Sequence, residues 1–158
     1  MTGLSLLFRP RPGTLAALAA EHVIETMRPL PCEPVAGAPP FVAGVAIIRG
    51  RPTPVVDVGA LLGAPREALS ERWITVAVGE RVVGLAVSDV VGVRRLTGDV
   101  APGAMPPLLT DASRGAVSAL GVLDGELLLV LERASLVPDD VLALTAPASG
   151  DAEAHDAR

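Results

Sequence analysis

Lysine and tyrosine are missing from this sequence of 158 residues, which holds one cysteine, one tryptophan, two phenylalanines and two histidines. Each shortage removes a class of function. Without lysine there is neither a Walker-type phosphate loop nor a Schiff-base nucleophile. Cys32 stands alone, so an internal disulfide is impossible, a cysteine-based zinc site lacks ligands, and the residue reads as a small hydrophobe. All thirteen positive residues are arginines against a formal net charge of −5. Arg9, Arg11 and the Arg94-Arg95 pair are too sparse for a basic patch, and three scattered aromatics build no stacking platform, so a nucleic-acid partner is not expected.

Catalytic groups are equally scarce. His22 sits by itself in an apolar stretch and His155 in a small, polar tail, leaving no nucleophile, base and orienting group in one place. Asp57, Asp89, Asp99, Asp111, Asp124 and Glu132 fall mostly at strand ends and turns, where a carboxylate accepts backbone hydrogen bonds. No calcium-loop spacing and no glycine-rich dinucleotide loop occurs. The expectation is a protein without enzymatic activity, cofactor or metal. No apolar run reaches the ~18 residues of a membrane span, and MTGLSLLFRPRPG is too short and too soon charged for a signal peptide, so a cytoplasmic chain without membrane insertion is expected.

What the sequence does have is aliphatic bulk cut into short pieces. Half the residues are hydrophobic, while sixteen glycines and fifteen prolines interrupt the chain throughout. That combination favours short strands joined by turns. Ile74 to Val87 carries two β-branched runs around Gly79-Glu80, a pair suited to a tight hairpin, and Val117 to Leu131 repeats the pattern around Asp124-Gly125. SDVVGVRRLTGDV reads as a strand bending at Gly92. FVAGVAIIRGRPTPVVDV gives strands over Val42–Ile48 and Pro54–Val58 around a turn at Gly50. Pro52 and Pro54 cannot donate to a ladder, which suggests an exposed or bulged edge. Gly59 to Arg72 has the composition of a short helical connection. Thr14 to Met27, TLAALAAEHVIETM, has helical propensity, so strand or helix stays open for Thr14–Ala20. The tail from 146 to 158 is expected to be disordered.

PPFVAGVAIIRGRPTPVVDVGALLG, followed by VAVGERVVGLAVSDVVGVRRL, resembles the two signature blocks of the CheW-like domain. LSLLF matches that domain's first strand, and the Asp-Gly hairpin with LLLVLERASLV matches its end. Gly44, Arg49-Gly50, Pro54 and Asp57 keep the family's order and spacing. The resemblance implies an all-β fold: two small five-stranded, SH3-like β-barrels sharing a hydrophobic core, with a short connecting helix. It places one domain over residues 1–145, with barrel one near 14–66 and barrel two near 72–131, and reads His22–Met27 as strand.

It also implies a non-enzymatic adaptor that couples the cytoplasmic tip of a methyl-accepting chemotaxis receptor to the regulatory domain of a chemotaxis histidine kinase. The receptor-facing positions it carries over are Val23, Glu25, Gly44 and Arg49. Gly50, Pro54, Asp57 and Gly125 are structural. Arg49 is expected to pair with a carboxylate such as Asp57 or Glu25. Trp73 is either a core plug or a kinase-facing anchor. Alternatives are a sensor holding a small apolar ligand between the barrels, or a diverged modulator of a non-motility chemosensory pathway. An Ala46-Ile47-Ile48 run replaces the family's frequent Asn before the Arg-Gly turn, and the second strand is alanine-rich.

Overall fold

The computed structural model describes residues 3–65, 71–96, 100–102, 115–137 and 142. The tail read as disordered and part of the Gly59–Arg72 connection lie outside them. The described chain is built from strands: β1 (Leu4–Arg9), β2 (Leu15–Ala19), β3 (Val23–Met27), β4 (Val42–Ile48), β5 (Arg51–Asp57), β6 (Arg72–Val78), β7 (Arg81–Val87), β8 (Asp89–Arg95), β9 (Val100–Pro102), β10 (Val117–Leu123) and β11 (Glu126–Leu131). One turn of helix, α1 (Val58–Leu61), follows β5, and 3-10 turns cover Ala20–His22 and Arg133–Ser135.

These strands form two sheets, one ordered β8-β1-β2-β11-β10-β9 and the other β3-β6-β7-β5-β4. The pairs β1–β2, β4–β5, β6–β7, β9–β10, β10–β11, β1–β8 and β3–β6 are antiparallel, and each sheet also holds one parallel pair, β11 with β2 and β5 with β7. Those parallel pairs set which strands share a sheet. β6 and β7, from the second half, join β3, β4 and β5; β8 to β11 return to the sheet begun by β1 and β2. The chain leaves the first sheet after β2 and re-enters it after β7, so the five-stranded sheet is one contiguous stretch, β3 to β7, inserted between the two parts of the six-stranded sheet.

Helical propensity loses at Leu15–Ala19, which is a strand paired on both sides. Leu15 and Ala17 enter one core cluster with Leu7, Leu96, Leu128 and Val130. Ala16 and Leu18 enter another, with Leu6, Phe8, Val56, Ile74, Val83 and Leu85, to which both sheets contribute. A strand covered on both faces shows no polar alternation, and its continuous apolar run is indistinguishable from a buried helix by pattern alone. Alanine's small volume lets the two clusters approach across β2.

The turn readings follow the chemistry. Asp124 and Gly125 both have positive φ (52° and 79°), as a two-residue turn between β10 and β11 requires. Arg49 and Gly50 do the same between β4 and β5 (50° and 77°). Between β6 and β7, Gly79 has a φ of 61°. A register shift in the β1–β8 ladder falls opposite Gly92, where the bend was expected.

The proline-bearing strand is not an edge. β5 lies between β4 and β7, but its ladder to β7 begins only at Val55. Pro52 and Pro54 precede that stretch, so their missing N–H groups deprive the second ladder of nothing.

Candidate functional site

The edges of the five-stranded sheet are β3 and β4. Glu25 lies on β3, and Arg49 occupies the left-handed first position of the β4–β5 turn. The guanidinium spans from one edge to the other: Arg49 Nε donates to Glu25 Oε2 and Nη2 to Oε1, both at 2.8 Å. A bidentate fork of this kind fixes two side chains in one plane. The clasp thus joins the two edges of the sheet at the surface. Arg49 is 77% exposed and Glu25 26%, so the pair is presented outward from a rigid frame. The hydrogen bond from Arg49 holds the Glu25 carboxyl below its ordinary value, against partial desolvation and with a smaller contribution from the Arg49 charge.

Val23 is half-buried and packs against the core shared by the two sheets. Next to Glu25, Ile24 marks the point where the β3–β6 register shifts, and is 52% exposed. On the other edge Ile47 is 61% exposed, two residues before Arg49. Two large aliphatic side chains therefore flank the clasp on its two strands. Sequence reading missed them because an isoleucine in a strand looks like core; only the bulge at Ile24 and the outward register of Ile47 reveal their exposure.

Gly44 serves the same edge differently. With φ at +147°, it stands where the segment before β4 crosses: Glu33 and Val45 exchange backbone hydrogen bonds at 2.9 and 2.8 Å. A Cβ on Gly44 would lie 2.7 Å from the Glu33 carbonyl carbon and 3.0 Å from Cys32 Sγ. The missing side chain admits this strap, which covers part of the β4 edge.

Trp73 is 3% exposed and fills a cluster with Ala46, Ile48, Val55 and Ala86, against which Met27 and Cys32 pack. It fills the core-plug position. Arg49 pairs with Glu25, whereas Asp57 pairs with Arg11. Arg11 Nη1 and Nη2 donate to the two Asp57 oxygens at 2.8 and 2.9 Å, and Asp57 Oδ1 also accepts from the Ala60 N–H, capping α1. Nothing in the sequence joins positions 11 and 57. Their meeting depends on two sheets packing face to face.

Further ion pairs tie the six-stranded sheet, the first of them bidentate. Arg9 Nη1 and Nη2 donate to Glu126 at 2.5 and 3.1 Å, and Arg94 donates to Asp124 at 2.9 Å, linking β8 to the β10–β11 turn. Among the described residues no group of three or more His, Cys, Asp or Glu could hold a metal ion, and no helix is long and apolar enough to cross a membrane.

Two sheets packed around a common aliphatic core agree with the all-β fold that the resemblance to the CheW-like domain implies. The family model of the CheW-like domain matches residues 5–141. The chain belongs to the CheW-like domain family. It is 31% identical over 115 residues to the chemotaxis protein CheW of Rhizobium meliloti (strain 1021), covering 70% of this chain and 72% of that protein. Protein FrzA of Myxococcus xanthus is 34% identical over 107 residues, 66% of this chain and 64% of FrzA. The crystal structure of scaffolding protein TtCheW from Thermoanaerobacter tengcongensis superposes with a TM-score of 0.70 at 22% identity, over 84% of this chain and 90% of that one. The fold is thus that of the CheW scaffold, with its two SH3-like barrels; β9, three residues long, adds a sixth strand to one sheet.

Proposed function

We propose that this CheW-like protein is a non-enzymatic cytoplasmic adaptor that couples the cytoplasmic tip of a methyl-accepting chemotaxis receptor to the regulatory domain of a chemotaxis histidine kinase. The observation carrying this reading is the exposed Glu25–Arg49 clasp, flanked by Ile24 and Ile47. A charged pair already locked in one geometry loses little side-chain entropy on docking, and the aliphatic groups beside it supply apolar area that water leaves. Val23 and Gly44 support the same surface from below, one by packing β3 on the core and the other by admitting the strap along β4.

A helix of a receptor hairpin is the matching partner. Its carboxylates or carbonyls would share Arg49, and its apolar stripe would lie on the two isoleucines. The kinase's regulatory domain would take another face of the molecule. Isothermal titration with a receptor-tip fragment tests the surface: binding at tens of micromolar or tighter is expected, and Arg49→Ala should weaken it about tenfold, the scale of ~1.4 kcal/mol. Equal affinity for the variant would remove the clasp from the interface.

A further inference from the structure

Arg11 leaves the turn between β1 and β2, in the six-stranded sheet, and reaches the end of β5 in the other. Its side chain is 12% exposed and that of Asp57 7%, so the pair lies inside the seam between the sheets. Arg11 Nη2 also donates to the Pro65 carbonyl at 2.9 Å, just beyond α1. Gly59 makes the passage possible: a Cβ there would stand 2.5 Å from Arg11 Cζ. One guanidinium thus joins the β1–β2 turn, the end of β5 and the segment after α1.

At the opposite end of the seam the ties are different. Asp57 sits beside Ala86, late in β7, whereas Ala77 and Arg81 flank the β6–β7 turn. There Arg133 Nη1 donates to the Ala77 carbonyl at 3.2 Å, and Arg81 donates to the Leu142 carbonyl. Between the two ends lies the shared aliphatic core, whose attraction is non-directional and resists separation far better than rotation. A bidentate, buried ion pair is directional.

We propose that Arg11 and Asp57 are positioning residues that set the angle between the two sheets, with Gly59 holding open the space for them. The inference does not need the adaptor reading, because it concerns the free protein. Spin labels at Val122→Cys on β10 and Arg51→Cys on β5, in a Cys32→Ser background, report the inter-sheet distance by pulsed electron resonance. The parent should give one narrow distribution. Arg11→Met should broaden and shift it, and Arg11→Met with Asp57→Asn should do no more than Arg11→Met alone. Gly59→Ala keeps both charges but displaces the guanidinium, so it should reproduce the effect even if Arg11→Met fails to fold. Folded variants with a lowered melting temperature and an unchanged distribution would overturn the proposal, since that is what a merely stabilising pair produces.

Discussion

Gly44 and Arg49 show how far single residues determine this surface. Gly44 is required twice, by its positive φ and by the carbonyl of Glu33 lying where a side chain would be. Gly44→Ala must therefore displace the strap as well as adopt a strained backbone, and is expected to destabilise the protein by about 3 kcal/mol, measured as a shift in the urea midpoint. A change below ~1 kcal/mol would show that the strap moves aside freely. Arg49, by contrast, is largely solvent-exposed, and an exposed ion pair contributes little to stability. Its residue-level importance is presentation: the left-handed turn aims its side chain back across the sheet to Glu25. The sequence made Arg49 legible as a charge in search of a carboxylate. It left Asp57 and Glu25 open because strand order, not spacing, decides which of them comes within reach.

Hairpins are the elements that local chemistry specifies best. The Asp124-Gly125 turn needs two positive φ values and has space around Gly125, with nothing within 4 Å of an added Cβ. Gly125→Ala should accordingly carry only the conformational penalty, about 1–2 kcal/mol, and leave the β10–β11 register intact. Thermal unfolding with amide exchange on that hairpin measures it; loss of protection along the whole of β10 would mean that the turn also fixes register. The hairpins, the Gly92 bend and the first strand were legible because turn residues and β-branched runs act within a few positions.

Other elements were hidden for a physical reason. β2 alternates between two apolar environments rather than between core and water, so its alanines and leucines carry no period-two signal. β5 looks like an edge because of Pro52 and Pro54, yet its inner ladder starts one residue beyond them. The parallel pairs β2–β11 and β5–β7 are contacts between distant segments, and they decide which strands share a sheet.

At the scale of the whole molecule, arginine–carboxylate pairs tie strands and sheets together. Arg49–Glu25 clasps one sheet, Arg94–Asp124 and Arg9–Glu126 tie the other, and Arg11–Asp57 joins the two. Two of these pairings give a pH signature. The hydrogen bonds from Arg49 and Arg9 lower the titration of Glu25 and Glu126 in the folded state. A carboxylate with a depressed folded value stabilises above its unfolded value and loses that contribution as pH falls through the folded one. Stability should thus begin to fall below about pH 4.3, the usual glutamate value, and the Glu25→Gln/Glu126→Gln variant should show a shallower fall in urea midpoint than the parent. Identical slopes would mean that neither pair matters to folding.

The adaptor reading concerns the molecule as a bridge. Its most direct test is sedimentation velocity of the protein mixed with a receptor-tip fragment and a histidine-kinase regulatory domain. The account predicts a boundary containing all three components that disappears when this protein is left out. Binary complexes that exclude each other, or no association at tens of micromolar, would contradict it.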